Sequence, residues 1–338
     1  MWSEEKLDYL LSSPTDALIE DMKRIEGDII ILGAGGKMGP SLCVLASRAA
    51  KQAGMKGKIK AVSRFSDKYS QRYLEENDVE CISADLLDTE QIKNLPGAEN
   101  IIYMAGKKFG THGAEHMTWA ANAIVPVKIA ERYLDSRVVV FSSGNIYPML
   151  PVHQGGAVEE CTPAPVGEYA MSCLARERVF EYYAHQHGLK CFLYRLNYAV
   201  AQRYGVLYDI ANTIMKEQPV SLLPTAFNCI WQRDANEIAL RGLLHCDTPP
   251  AVYNVTGPET ASVRNTANAM AALLGKKVSF IGEEQTEALL NNAGKSFNTF
   301  GYPAVPLETL IHWQVEWIKS GGSSLGKPTH FEEREGKY

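Results

Sequence analysis

Gly33, Gly36 and Gly39 fall three residues apart in the segment GAGGKMG, a spacing suited to holding a phosphate. Glycines let a backbone turn tightly and approach a pyrophosphate with no Cβ in the way. A helix that opens inside the loop adds unpaired N–H groups aimed at the anion. The chemistry implied is dinucleotide binding, with Gly33, Gly36, Lys37, Met38 and Gly39 forming the loop. About thirty residues past this loop stand Ser63 and Arg64, where an acidic residue would hold the ribose 2′-hydroxyl of NAD. An arginine suits the 2′-phosphate of NADP through a bidentate, charge-assisted contact, and Lys37 adds to the same field. NADP is the expected cofactor and NAD the alternative. The competing reading is a solvated arginine in the charged segment SRFSDKYSQR.

The elements that must position this loop are legible as alternating patterns. Short apolar runs at 28–35, 58–64, 79–85, 100–106, 137–143 and 190–196 are separated by longer segments of helical spacing. Near-continuous apolar strands divided by helices indicate a parallel sheet covered on both faces. The expected fold class is therefore α/β, a Rossmann-like doubly wound parallel sheet, with a smaller, mostly helical C-terminal substrate subdomain. The expected divisions are an N-terminal helical extension over 1–27, a dinucleotide-binding domain over 28–200, a substrate-binding subdomain over 201–320 and a polar tail over 321–338. In the extension, Ser13 before Pro14, with Asp16 three residues on, predicts a capped helix start. Beyond 200, GVLYDIANTIMKEQ and SVRNTANAMAALLG read as helices and AVYNVTG as a strand between them. The tail, GGSSLGKPTHFEEREGKY, is expected to be irregular.

Bulk properties narrow the function classes. The chain has 338 residues, 46% of them apolar, enough for a sizeable core. A net charge of −5 gives no global basic surface for nucleic acid. Seven cysteines without a C-x-x-C pair suggest neither a disulfide framework nor a zinc site. The start, MWSEEKLDYLL, lacks a signal peptide's basic and apolar regions, and no apolar run approaches the ~18 residues of a membrane span. A cytoplasmic protein without a metal is expected.

Several further motifs occur in a definite order. ADLLD contains Asp85 and Leu86, YMAG contains Ala105 and Gly106, and VFSSGNIYP contains Ser143. EECTPAPVGEYAMSCLARE then places Tyr169 four residues before Cys173. With the glycine loop and the later segments YRLNYAV, IWQRDANEIAL and YNVTGPETASVRNTANAMAALLG, they cover about 28–275. Together they resemble the extended short-chain dehydrogenase/reductase family, which includes nucleotide-sugar epimerases, dehydratases and related reductases. The resemblance implies an adenine-edge role for Asp85 and Leu86, and places Ala105 and Gly106 beneath the nicotinamide ribose. It makes Tyr169 the general acid/base, in contact with the cofactor, and Ser143 the residue that orients the substrate hydroxyl.

One part departs from the family pattern. A phenol ionises near ~10 and needs help at neutral pH. The family supplies a lysine four residues after the tyrosine, on the same helix face. Cys173 occupies that slot, and a thiol is neutral while a thiolate would oppose ionisation of Tyr169. Tyr103 to Lys107 is formally a Y-x-x-x-K but straddles a strand end, so it is a decoy as a motif. Lys107 or Lys108 could still return the lost charge from the fourth-strand loop, the alternative being two solvated lysines. His112 and His116 are further proton-carrier candidates. Tyr204, Tyr208, Trp231 and Arg233 are candidate substrate-lining residues.

Two functions follow. One is an NAD(P)-dependent oxidoreductase or epimerase acting on a sugar, sugar acid or nucleotide sugar. The other is a catalytically degenerate NAD(P)-binding protein that serves as a sensor or structural partner. In either case the expected partner is a small carbohydrate-derived molecule. The resemblance also implies a homodimer built from helices at 115–134 and 168–187.

Overall fold

The computed structural model describes residues 2–66, 68–108, 110, 113–327 and 329–336. Strands β1 (Ile29–Leu32), β2 (Ile59–Ser63), β3 (Glu80–Ser83), β4 (Asn100–Tyr103), β5 (Arg137–Ser143), β6 (Lys190–Leu196) and β7 (Ala251–Val255) form one sheet. Their order is β7-β6-β5-β4-β1-β2-β3, and each neighbouring pair is parallel. The expected α/β architecture is thus present. The strand order reverses between β1 and β4, and such a reversal opens a crevice at the carboxyl ends of the strands.

Helices α1 (Glu4–Leu11), α2 (Asp16–Met22), α3 (Gly39–Ala53), α4 (Lys68–Glu75), α5 (Thr89–Lys93), α6 (Glu115–Trp119), α7 (Val125–Arg132), α8 (Gly167–His187), α9 (Val206–Met215), α10 (Gln232–Arg241), α11 (Val263–Leu274), α12 (Gly294–Phe300) and α13 (Leu307–Lys319) accompany the sheet, together with four small two-stranded sheets and a few short turns of 3-10 or π helix. Alternate strand residues serve opposite faces of the sheet, as a period of two requires. Ile29 and Ile31 join a core with Leu18 and Met22 of α2, Leu42 and Leu45 of α3, and Ala235 and Ile238 of α10. Ile30 and Leu32 join the other core, with Val125 and Ile129 of α7 and Phe180 and Tyr183 of α8. Burial on both faces explains why β1 is the unbroken apolar run IIIL.

A third core gathers Leu207 and Ile210 of α9, Val263 and Met270 of α11, Leu310 and Trp317 of α13, and Trp2, Leu7 and Leu11 from the amino end. Leu7 and Leu11 of α1 thus enter this third core, and Leu18 and Met22 of α2 the first. The cap expected at Ser13 is instead Thr15, whose hydroxyl accepts the Leu18 N–H at 3.1 Å. Ser13 turns back to donate to the Tyr9 carbonyl at 2.6 Å, so the helix opens at Asp16. The AVYNVTG strand, β7, returns to the main sheet beside β6.

The described residues of the tail have no regular structure but are tied down along their course. Leu325 N–H donates to the Arg203 carbonyl at 3.0 Å. The Asp209 carboxylate accepts from both the N–H (2.8 Å) and the hydroxyl (2.5 Å) of Thr329. Phe331 enters the third core.

Candidate active site

The glycine loop leaves β1 and enters α3 within seven residues, so its backbone is crowded. Gly33 has φ +93, and a Cβ there would lie 2.6 Å from the Ala105 nitrogen. At Gly39 a Cβ would fall 2.1 Å from the Ala34 carbonyl oxygen. Gly36 differs: its nearest neighbour would be the Gly33 oxygen at 3.4 Å, and it lines the central cleft. A side chain at Gly36 would therefore stand in the space a ligand needs. Helix α3 starts at Gly39 with no side-chain cap and no acid in its first turn, leaving its N–H groups for an anion. These features fit a dinucleotide pyrophosphate.

The other cofactor-binding candidates lie at the same end of the sheet. Ser63 closes β2 against the loop, its hydroxyl 2.4 Å from where a Gly35 Cβ would be. Arg64 follows, exposed. The Asp85 carboxylate accepts the Leu87 N–H at 3.0 Å just past β3, and Leu86 packs partly against the sheet core. Ala105 and Gly106 follow β4 directly. Lys37 faces into the cleft, with its ammonium 3.5 Å from the ring centre of Tyr204.

At the reacting end, β5 delivers Ser143 and the first turn of α8 delivers Tyr169. The Tyr169 phenol is hydrogen-bonded to Ser143, and it also contacts Cys173. The Ser143 hydroxyl also lies 3.1 Å from Asn145 Oδ1 and accepts the Asn145 N–H at 3.2 Å. Burial pushes the Tyr169 phenol well above its ordinary range, and Cys173 adds to that. The Ser143 hydrogen bond and the Arg176 charge oppose the shift. Cys173 is itself buried and its thiol pushed up, so it stays neutral.

Lys108 comes from the loop after β4 and lies against the same pair. Its ammonium is 5.5 Å from the Tyr169 ring centre and donates to the Thr329 carbonyl at 3.5 Å. Desolvation lowers it to about 8, and its charge acts on Cys173. An ammonium thus reaches the Tyr169–Cys173 pair from another part of the chain. Lys107 also lines the cleft.

Two residues of this site were not anticipated from the sequence. Arg176 lies one turn beyond Cys173 on the same face of α8, and donates to the Phe141 carbonyl at 2.6 Å and to Asn122 Oδ1 at 2.8 Å. Asn122 lies in a π-helical turn, Ala120–Ile124, between α6 and α7, a distortion frequent at functional sites. Its oxygen also accepts the Lys107 N–H at 2.8 Å, and its amide donates to the Lys107 carbonyl and the Ser172 hydroxyl, both at 2.9 Å. Asn122 therefore pins the lysine loop to α8. The i, i+4, i+7 spacing of Tyr169, Cys173 and Arg176 was a readable signal for Arg176. Nothing in the sequence marks the π turn.

Other candidates lie elsewhere. Tyr103 is buried, with its hydroxyl donating to the Ala121 carbonyl at 3.3 Å, as its place in a strand demands. Trp231 is buried in the third core, packed edge-on against Trp313, so it cannot line a substrate path. Arg233 is paired with Asp234 and Glu237 in a separate cavity beside α2. His116 is exposed on α6, Tyr208 does not line the cleft, and His112 lies outside the described residues. Among the described residues no group of three or more His, Cys, Asp or Glu could hold a metal ion. No helix among them is long and apolar enough to cross a membrane.

The cleft has a volume of about 660 Å³ and runs from Gly36 past Ser143 and Tyr169 to Tyr204. Gly326, Lys327, Thr329 and His330 of the tail form part of its wall.

A family model, the NAD dependent epimerase/dehydratase family, matches residues 29–255. No curated protein matches the chain by sequence. Among solved structures, the chain resembles a dTDP-glucose 4,6-dehydratase from Streptomyces venezuelae solved with NAD (TM-score 0.73, 15% identity, 87% of this chain and 97% of that one). It also resembles a UDP-glucuronic acid 4-epimerase from Bacillus cereus in complex with NAD (TM-score 0.70, 15% identity, 87% and 99%). A third is a UDP-glucose 4-epimerase from Thermotoga maritima (TM-score 0.68, 16% identity, 87% and 99%).

Proposed function

This chain belongs to the NAD dependent epimerase/dehydratase family, and from that premise we propose that it is an NAD(P)-dependent oxidoreductase or epimerase acting on a sugar, sugar acid or nucleotide sugar. The observation that carries the reading is the Lys108 ammonium, 5.5 Å from the ring centre of a Tyr169 that is hydrogen-bonded to Ser143. It supplies, from the β4 loop, the positive charge that Cys173 cannot give.

In this mechanism Ser143 holds the substrate hydroxyl, and Tyr169 takes or returns its proton at the phenol oxygen. Lys108 and Arg176 stabilise the phenolate that forms. The glycine loop, with Gly33, Gly36, Lys37, Met38 and Gly39, and the strand-end residues Ser63, Asp85, Leu86, Ala105 and Gly106, would hold the dinucleotide. The bound nicotinamide would supply a hydride acceptor or donor. Arg64, exposed at the end of β2, supports NADP over NAD. The solved structures of the Streptomyces and Bacillus proteins contain NAD, which keeps NAD as the alternative. A homodimer through α6–α8 is supported by Met117, Ile124, Met171 and Tyr182, all exposed there.

Burial of the Tyr169 phenol and the thiol beside it favour a second reading, a dinucleotide-binding protein without turnover. The two readings part on Tyr169→Phe. An enzyme loses about 10²–10⁴-fold in turnover while nucleotide affinity is kept, with product formed from a panel of sugars, sugar acids and nucleotide sugars as the measurement. Tight nucleotide binding with no product from any of them, in either form of the protein, supports the binder. In parallel, Arg64→Ala should weaken NADP by about tenfold and leave NAD unchanged.

A further inference from the structure

The tail runs from the subdomain toward the helix that carries Tyr169, and it is held at successive points. Leu325 is bonded to Arg203, and Thr329 to Asp209 of α9. Phe331 is buried in the third core with Phe227. Arg334 donates to the Leu223 carbonyl at 3.0 Å and to the Glu287 carbonyl at 2.7 Å, and its Nη2 lies 2.8 Å from Met149 Sδ. Gly336 then lies on Gly167, the first residue of α8. A Cβ on Gly167 would fall 2.6 Å from the Gly336 Cα.

Three cavities adjoin along this course, and tail residues line each of them. The central cleft is walled by Lys327, Thr329 and His330. A cavity of about 360 Å³ is lined by Tyr147, Met149, Gln285 and Thr286 and, from the tail, Glu333 and Arg334. A small one of about 20 Å³ is lined by Pro224, Phe227 and, from the tail, Phe331 and Arg334. Asn145, in contact with Ser143, borders both the cleft and the larger cavity. Tyr198 borders the cleft and the small cavity, while Met149 and Leu289 border both outer ones. These shared residues trace one channel leading away from Ser143, and Phe331, Glu333 and Arg334 stand in it.

The dinucleotide takes the Gly36 end of the cleft, so a long substrate held at Ser143 and Tyr169 extends into this divided channel. A nucleoside diphosphate linked to a sugar adds two phosphates, a ribose and a base. To seat them, Phe331 must leave its core and Arg334 its two carbonyls. A ligand shifts such an equilibrium only by its differential affinity, and its observed affinity falls with the fraction of open molecules. A free monosaccharide fits on the near side of the tail and needs no such opening.

Resting on the reading of Tyr169 as acid/base, we propose that the tail is the specificity wall of this site. Phe331 and Arg334 close the channel to a nucleoside diphosphate, and the substrate is a sugar or sugar acid with no nucleotide attached.

The test measures affinities by calorimetry on the full chain saturated with NAD or NADP. The probes are UDP-glucose and ADP-glucose, with D-glucose and D-glucuronate as nucleotide-free counterparts. The unaltered chain is expected to bind neither nucleotide sugar more tightly than the free sugars. Phe331→Ala with Arg334→Ala, which frees the tail, should bind at least one nucleotide sugar about tenfold tighter than the unaltered chain does. Its affinity for the free sugars should be unchanged, and hydrogen exchange in the tail checks the release. Should the double variant fold poorly, Arg334→Ala alone removes only contacts to two carbonyls and a thioether, and should gain about threefold. The proposal is overturned if the unaltered chain binds either nucleotide sugar about tenfold or more tighter than the free sugars. It is overturned equally if a variant with a released tail gains no affinity for either. These affinities need no turnover. A chain that excludes nucleotide sugars yet forms no product from any sugar counts against the enzyme reading alone, and turnover of a nucleotide sugar counts against the wall alone.

Discussion

Arg195 and Lys108 are both cations partly or wholly withdrawn from water, one at the carboxyl end of β6 and the other past the end of β4. Arg195 is enclosed by partners. Its Nη2 lies 2.8 Å from Glu177 Oε2, its Nε donates to Glu177 Oε1 at 3.0 Å, and its Nη1 donates to the Tyr147 hydroxyl at 2.6 Å. Glu177 also accepts from Ser142 at 2.5 Å. These contacts raise the Arg195 pKa despite its burial. Lys108, which donates to the Thr329 carbonyl, shifts the other way: desolvation lowers it to about 8, and Lys37 is a like-charged neighbour. A buried charge with its full set of partners fixes structure, here α8 against β5 and β6. A buried charge kept titratable beside a phenol is suited to chemistry. The two networks share α8, which carries Glu177 on one and Tyr169 on the other.

That contrast breaks most visibly at Glu177. Glu177→Ala leaves Arg195 buried without its counter-charge and should destabilise the protein by about 3–5 kcal/mol, read from denaturant midpoints. Replacing both partners, Glu177→Leu with Arg195→Met, should recover much of the loss, because an apolar pair of similar volume has no stranded charge. If the single variant is as stable as the parent, the network is not structural. Lys108→Met should behave in the reverse way, with no loss of stability but about 100-fold lower turnover, a barrier increase of about 2.7 kcal/mol. Unchanged turnover would mean that Arg176 alone carries the charge Tyr169 needs.

A smaller effect sharpens the assignment. In the Lys108→Met background, Cys173→Lys puts an ammonium back near the phenol from α8 itself and should restore turnover by about tenfold. In the parent protein the same change sets a second ammonium beside Lys108 and should lower stability with no gain in rate. Gain in the parent and none in the variant would show that Lys108 does not stand in for the residue at 173.

The half of the site made from backbone was the more legible in sequence. Gly39 is dictated by Ala34 inside its own loop and Gly33 by a left-handed turn pressed against Ala105, and the tight strand-to-helix turn they share leaves a local pattern. The apolar runs at 28–35 and 137–143 likewise announced β1 and β5, because strands buried on both faces leave no alternative composition. The reacting end is made otherwise. Tyr169 and Ser143 were visible through ordered motifs, but Lys108 looked like one of two loop lysines until Thr329 and Tyr169 were seen around it. Asn122 acts through a π turn that no spacing encodes. The tail was the least legible part. Its polar, turn-rich composition suggested an irregular segment, which it is, while its attachment to Asp209 and Arg203 depends on contacts more than a hundred residues apart. Trp231 and Arg233 show the converse: residue types suited to a binding wall were claimed by a core and by ion pairs.

The smallest expected effect tests whether the Lys37–Lys108 group is strained by its charge, as the contrast with Arg195 requires. Both lysines have folded-state values below the ordinary lysine range of about 10.4. The unfolded chain therefore holds more protons than the folded one between about pH 7 and 10, and the contribution of these two groups to stability rises with pH across that window. Other titrating groups share the window, so the informative quantity is the difference between variant and parent. Lys37→Met and Lys108→Met remove the penalty of holding an ammonium out of water. Each should be more stable than the parent near pH 6.5, by on the order of 1–2 kcal/mol once solvent screening is allowed for. The gain should shrink steadily as pH rises toward 10, where the folded parent has shed these protons, and vanish only above about 10.4, where the unfolded chain sheds them too. Denaturant midpoints at four pH values decide it. A gain independent of pH would trace to better apolar packing, and the cleft's lysines would then be no more strained than the ion pair at Arg195.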